Sequence, residues 1–535
     1  MSSHSHSPTT IQPLRKRWLR HWKGRPPSLG LLCAAALGAA LMIIPVIYVL
    51  LLAAQADQSQ WSRLFSTRIP SLWWNTFSLT VTVTTAAATI GSLLAFLTMR
   101  TDLPGRRLWR WFLALPLAIP PYIGALGYIL ILGPRGVVFE IFGGTPLNVY
   151  GFWGTAWVLT WFTYPYTYLI VAAALRRLNQ NFEEAGLSCG IPYWQVLLRI
   201  TLRLLRPAIG AGAVLTALYV LSDFGTIAML RYETFTRAIY YQMTGRFDQS
   251  SAAILSLLLM GITVIVLTIE RFTRAKDAFH QNTGTYRTPR TVALGRLKAP
   301  AVLFVTLVLV FAVLLPIAAL VYWTYLGWGE GTVDHRFWGY AWNSFSSAAL
   351  AAVIVMFLAL PLAYLKSRYP SKTTAALLRV AYGGYALPGV IVALGIMIFY
   401  DRFLPIFYGS LSMLVLAYAV RFLPQSMQSQ DAALELVSPR LDEAARCMGQ
   451  NAFGVMLRVI LPSIFPGILA GGALAFVSAL KELPAALLLR PAGFDTLAVR
   501  IWMESAEGFY TYAAPAGLLL IVVSLLPLRL IVNKY

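Results

Sequence analysis

Windows of about twenty apolar residues recur along the chain, separated by short polar stretches, and a run of that length is what a helix needs to cross a bilayer. They fall near residues 29–54, 76–98, 110–132, 151–174, 207–230, 251–270, 300–325, 343–365, 378–400, 410–429, 463–489 and 511–531. The pattern predicts an all-α polytopic membrane protein with about twelve transmembrane helices. Pro116, Pro120, Pro121, Gly124 and Gly127 in the third window are matched by Pro388, Gly389 and Gly395 in the ninth. A kink is expected at both places, because an interior proline removes a helix hydrogen bond.

The windows form two sets of six. Trp74-Asn75-Thr76-Phe77 matches Trp342-Asn343-Ser344-Phe345, Arg100 matches Arg368 and Leu126-Gly127 matches Leu394-Gly395, all at an offset of 268. A polar-to-amphipathic stretch then repeats at 259: Glu184-Ala185-Gly186-Leu187-Ser188-Cys189-Gly190 and Glu443-Ala444-Ala445-Arg446-Cys447-Met448-Gly449. An even number of spans per half returns the chain to its starting side, so the halves are parallel repeats. The boundaries expected are a basic tail over 1–28, one membrane domain over 29–271 with a loop at 175–206, a polar linker over 272–299, and a second domain over 300–535 with a loop at 430–462.

Charge supplies the orientation. Of the 43 Lys and Arg residues, 32 lie on the side that holds the N-terminal tail and both repeated loops. By the positive-inside rule that side is cytoplasmic, and so are both termini. The net charge of +22 is spread over span ends, not gathered on one face, which argues against nucleic acid as a partner. Content of 58% hydrophobic and 12% charged residues excludes a soluble protein of this size.

Catalytic motifs are absent. The five histidines are scattered, His4 and His6 falling in the tail, and the three cysteines lack ligand spacing, so inert thiols are expected at Cys33, Cys189 and Cys447. No phosphate-binding GxxxxGK[ST] sequence occurs, so the chain is expected to bind no cofactor and to be no enzyme. In each repeated loop a short helix, a glycine turn and a second amphipathic piece, with Trp194, Leu197 and Leu198 or Phe453, Met456 and Leu457, predict two short helices at an angle.

The spacing Glu-Ala-Ala, three residues, Gly, nine residues, Ile-x-Leu-Pro resembles the EAA motif of ABC importer permeases that work with a substrate-binding protein. The second copy differs in Val459 for Ile. The first has Gly186 for Ala and Arg203 for Pro, with Pro207 displaced. The resemblance implies a type I importer permease fold in the bacterial inner membrane, and it makes Glu184, Ala185, Gly186, Gly190, Glu443, Ala444, Ala445 and Gly449 the surfaces on which two copies of a separate ATPase, carrying ATP and Mg, would dock. A periplasmic binding protein would meet stretches 55–74, 134–149, 231–249 and 490–508, and lipid would surround the spans. Fusion of both halves, with Leu221-Ser222-Asp223-Phe224-Gly225 and Lys481-Glu482-Leu483-Pro484, resembles the Fe(III) branch; thiamine or phosphonate-type substrates are the alternatives.

Asp223 and Glu482 are the acids set firmly inside predicted spans, again 259 apart. A charge at a helix centre costs about 2.5–3.5 kcal/mol on insertion scales, so such residues face a cavity or a partner. Two readings stay open. They line a cation route, as transient oxygen ligands for a hard ion, or they hydrogen-bond neighbouring helices, Glu482 pairing with Lys481. An ion-gradient-driven transporter using the same two acids is the rival function.

Overall fold

The computed structural model describes residues 27–144, 147–276, 291–384 and 387–532. The tail at 1–28 lies outside the described residues except for its last two, as do His4, His6, the linker's middle at 277–290, and the C-terminal 533–535. The described residues are helical, the one β-bridge being Thr101 with Val292.

Nine stretches of the described residues are long and apolar enough to cross a membrane. The three other windows correspond to helices Gly389–Phe403, Leu411–Glu435 and Tyr510–Val532. The chain is a multi-pass membrane protein of the predicted class.

Two kinds of span depart from a plain helix. The third of each half is broken: Arg106–Phe112 and a 3-10 turn Leu115–Ala118 precede Pro121–Leu132, while Lys372–Gly383 precedes Gly389–Phe403. The new helices start just after Pro120 and Pro388, where proline's missing N–H costs nothing. The fifth of each half is broken as well, which hydropathy does not announce. Leu202–Ser222 stops before Asp223 and Phe224, and Gly225–Met229 follows; Leu461–Leu480 stops before Lys481, and Pro484–Leu489 follows. The two acids therefore sit at helix breaks and not at the centres of continuous helices.

The described parts divide into two compact units. One is built from the described residues of 27–44, 349–384 and 418–479, the other from those of 45–348, 387–417 and 480–532. In the larger unit a core of Leu79, Val83, Ala156, Leu159, Val220 and Ile227 joins the second, fourth and fifth spans of the first half. In the smaller unit Ala363, Tyr364, Leu434, Val437, Ala445, Val455, Ile460 and Ile464 form a core beneath the second repeated loop.

First spans cross over to the other half within the larger unit. A Cβ at Gly127 would lie 2.8 Å from the Cα of Pro316, and one at Gly395 would collide with the Cα of Pro45. Tyr128 donates to the Phe311 carbonyl at 2.8 Å, and Trp323 Nε1 to that of Leu130 at 3.3 Å. The repeated Leu-Gly pair is thus a contact where two helix backbones touch, which a side chain of any size would separate.

Candidate functional site

Each repeated loop opens with a short helix, Asn181–Ser188 or Pro439–Cys447. Acids in the first turn, Glu183 and Glu184 or Asp442, suit the positive end of the helix dipole. In the second copy the Ser438 side chain also accepts from the Arg440 N–H, and Pro439 occupies the first turn.

Both helices end in the same turn. Gly190 and Gly449 adopt φ of +76° and +81°, a left-handed conformation that glycine takes without steric cost. The amides of Cys189, Gly190 and Ile191 donate to the carbonyls of Ala185, Leu187 and Gly186; those of Met448, Gly449 and Gln450 donate to Ala444, Arg446 and Ala445. Every bond recurs at the offset of 259.

The piece that follows is not a separate angled helix. Tyr193–Val196 runs through a π-helical turn, Leu197–Thr201, straight into Leu202–Ser222, and Ala452–Val455 runs through Met456–Ile460 into Leu461–Leu480. The fifth span therefore begins inside the loop. Pro207 and Pro466 are both interior prolines of that span and stand 259 apart, so Pro207 is the counterpart of Pro466 and Arg203 alone replaces Pro462.

Buried acids that the motif does not include hold the helices down. Glu183, just before Glu184, is 3% exposed; it accepts from Arg100 Nη2 at 2.5 Å and from Thr201 Oγ1 at 2.8 Å. Asp442, just before Glu443, accepts from Arg368 Nε at 3.0 Å and from the Tyr364 hydroxyl at 3.2 Å. Arg368 Nη2 also donates to the Val437 carbonyl at 2.9 Å. Breaking such a buried pair from one side costs about 3–5 kcal/mol, because the other charge is left without compensation. Sequence reading found Arg100 and Arg368 only as repeat markers. Applying the 259 offset one residue before the motif would have found their partners.

Inward packing explains the motif's departures. A Cβ on Gly186 would lie 2.8 Å from Ile200 Cδ1 and 3.1 Å from Val196 Cγ2. In the second copy Ala445 fills that position, 2% exposed, and the residue matching Ile200 is the smaller Val459. Gly with Ile and Ala with Val are two ways to fill one space. Outward, Ala185, Leu187, Ser188, Cys189 and Gly190 are exposed in one copy and Glu443, Ala444, Cys447, Met448 and Gly449 in the other. Phe182 and its match Leu441 are 44% and 48% exposed. The cysteines are free.

Beside the first anchor, the end of the linker docks on the chain after Arg100. Val292 donates to the Arg100 carbonyl at 2.7 Å, and Asp102 accepts from the Leu294 N–H at 2.8 Å and from Lys298 at 2.9 Å. These contacts, the Leu294 N–H foremost, hold the Asp102 carboxyl below the usual carboxylate range.

At its other end the second span grips a different loop. Asn75 Nδ2 donates to the Glu233 carbonyl at 3.0 Å, and Thr76 Oγ1 accepts from the Phe235 N–H at 3.3 Å. The second half repeats this: Asn343 Nδ2 donates to the Asp495 carbonyl at 3.1 Å, and Ser344 Oγ accepts from the Leu497 N–H at 2.7 Å. The repeated Trp-Asn-Thr/Ser-Phe sequence is thus a clasp on the segments that open helices Phe235–Thr244 and Leu497–Glu507.

Asp223 and Glu482 are 8% and 5% exposed. The Asp223 carboxylate accepts from the N–H groups of Thr226 and Ile227 at 3.1 and 3.2 Å and from Thr226 Oγ1 at 3.1 Å, capping the helix after the break. The two breaks converge: a Cβ on Gly225 would lie 2.9 Å from Tyr122 and 3.1 Å from Leu483.

Comparison with known proteins finds the same duplication. The family described as binding-protein-dependent transport system inner membrane component matches residues 87–275 and again 356–533. An Fe(3+)-transport system permease protein of Haemophilus influenzae, FbpB 2, is 31% identical over 518 residues, covering 96% of this chain and 99% of that protein. A ferric transport system permease protein of Actinobacillus pleuropneumoniae is 24% identical over 439 residues, 77% of this chain and 63% of its own length. The sulfate transport system permease protein CysW of Escherichia coli is 25% identical over 257 residues, 45% of this chain and 88% of its own. With both segments matched and the ferric relative aligned nearly end to end, the chain belongs to the binding-protein-dependent transport system inner membrane components, two copies of the unit being fused in one polypeptide.

Proposed function

We propose that the chain is the permease of an ATP-driven importer that takes Fe(III) from a periplasmic binding protein and passes it to the cytoplasm by alternating access. The observation that carries this reading is the duplicated loop: two short helices end in the same glycine turn, are anchored by buried acids and expose small residues outward. Such a surface suits a partner that seats both helices alike. Two copies of an ATPase, binding ATP and Mg, would do so on the cytoplasmic side, and their closure would move the spans as rigid bodies. Iron as substrate is supported by the named role of the relatives that align over most of the chain.

Within this reading Asp223 and Glu482 stand beside the route at the breaks of the two fifth spans. Their burial and the approach of Gly225 to Tyr122 and Leu483 support that position, although the cap gives Asp223 a structural task as well. Asp223→Asn separates the two, since the amide oxygen still accepts from Thr226 and Ile227 while the charge is gone.

The test of the whole reading is uptake of radioactive Fe(III) into vesicles holding the chain with its ATPase. Uptake is expected to need ATP and the binding protein. Uptake by the chain alone, driven by an ion gradient, would refute it.

A further inference from the structure

The second span of the first half, Ile69–Arg100, is a single helix of 32 residues with no interior proline, whereas the first, fourth and fifth spans of that half each contain one. At 1.5 Å per residue it is about 48 Å long, enough to cross the hydrocarbon and both interfacial layers. Both its ends are fastened to other loops. Asn75 and Thr76 hold the backbone at Glu233 and Phe235, and Arg100 holds Glu183 at the base of helix Asn181–Ser188. Arg100 and Thr76 are 1% and 5% exposed, so their bonds are shielded from water, while the Asn75 bond beside Thr76 lies at the exposed edge of the clasp.

Glu183 carries the load further, because it also accepts from Thr201 at the end of the π-helical turn. Side chains that meant only to close the core would be apolar, as their neighbours are. Here a charged pair has been buried at one end of the helix and an amide-to-backbone clasp at the other. Both fastenings recur in the second half, as Arg368 with Asp442 and as Asn343 with Asp495.

We propose that Ile69–Arg100 is a strut that couples the extracytoplasmic segment Glu233–Phe235 to the cytoplasmic helix Asn181–Ser188, with Asn75, Arg100 and Glu183 as its positioning residues. The strut rests on the proposed function, which sets the two ends on opposite sides of the membrane. Engagement of the binding protein at one end then reaches the ATPase at the other through one rigid element, and none of these three side chains need touch iron or nucleotide.

The test is the ratio of ATP hydrolysis with and without Fe(III)-loaded binding protein, measured on the permease–ATPase complex in lipid nanodiscs. Asn75→Ala and Glu183→Gln are each expected to lower that ratio at least about fivefold, the lower bound of ordinary allosteric coupling; Asn75→Ala, at the far end from the loop that seats the ATPase, is expected to do so with basal hydrolysis and ATPase co-purification retained, and Glu183→Gln is read per amount of ATPase bound. The double variant is expected to fall no further, because both changes interrupt one path. A ratio unchanged in the single variants overturns the strut, as does a double variant equal to the product of the singles or a loss that only tracks the amount of folded complex. If Glu183→Gln does not accumulate, Arg100→Lys, which keeps the charge and loses the fork, takes its place with the same expected ratio. If the unaltered chain binds no ATPase, the proposed function itself falls, a result distinct from all of these.

Discussion

Gly186→Ala is the sharpest probe of how the loop is packed. The new Cβ would sit 2.8 Å from Ile200 Cδ1, where carbon pairs are at rest near 3.5–4.0 Å. Relief comes from turning the Ile200 side chain, which costs about 0.5–1.5 kcal/mol off its rotamer, or from a shift of the helix within the general overpacking range of about 1–3 kcal/mol. Against this stands a gain of about 1 kcal/mol, since alanine is a better helix former than glycine. The single variant is therefore expected to be neutral to about 2 kcal/mol less stable. Ile200→Val alone removes a methylene and costs about 0.5–1.5 kcal/mol. Together the two reproduce the Ala445 and Val459 pair of the second copy, so the clash disappears, the helix gain remains and the double variant is expected to match or exceed the parent. Thermal unfolding of the purified chain in detergent, on all four forms, reads the coupling. Additive effects would refute the claim that these positions share one space.

Other outcomes follow from single contacts. Gly395→Ala should prevent accumulation of folded chain, with Gly127→Ala somewhat milder, because Cβ meets a proline backbone that cannot rotate away; fluorescence-detected size exclusion reads both, and a normal monodisperse peak for Gly395→Ala would contradict the contact. Arg368→Met should cost about 3–5 kcal/mol by stranding Asp442, and adding Asp442→Leu should recover most of it; thermal unfolding with no recovery would mean the pair is not the source. Asp102 has its folded pKa depressed, so its contribution is present above the ordinary value of 3.8 and lost as pH falls through the folded value. Hydrogen exchange at the Leu294 amide is accordingly expected to follow its intrinsic pH dependence from pH 8 to 5 and to lose protection below about 3.8, with Asp102→Asn less protected at neutral pH. Asp223→Asn should preserve the fold and lower Fe(III) uptake about tenfold if a carboxylate lowers the cation's barrier by about 1.4 kcal/mol; unchanged uptake would leave Asp223 with the cap alone.

The fold was legible to the extent that it depends on averages. Twelve apolar windows, the prolines at 120 and 388 and the offset repeats announced the spans, a kink in each third span where the structure has a full break, and the duplication. The breaks at Asp223 and at Lys481-Glu482-Leu483 were not legible, because two or three residues scarcely move a twenty-residue mean. The anchors were hidden for another reason: Arg100 meets Glu183 across 83 residues and Asn75 meets Glu233 across 158, and nothing local in either segment names its partner. The π-helical turns after each loop helix were missed because a helix with one wider turn keeps nearly the same apolar face.

Comparing the two copies shows where the constraint on the loop arises. The buried support differs in its atoms: Thr201 assists Glu183 while Tyr364 assists Asp442, and Gly186 with Ile200 gives way to Ala445 with Val459. The outward geometry does not differ. The same three backbone bonds close each turn, Gly190 and Gly449 agree in φ within a few degrees, and an exposed alanine, Ala185 or Ala444, follows the glutamate in both. If internal stability alone shaped these loops, the buried contacts would be the part held fixed and the exposed turn would be free to vary. Instead the turn is held fixed together with the buried Arg–acid pair beneath it, as the proposed docking of a like partner on both loops would require.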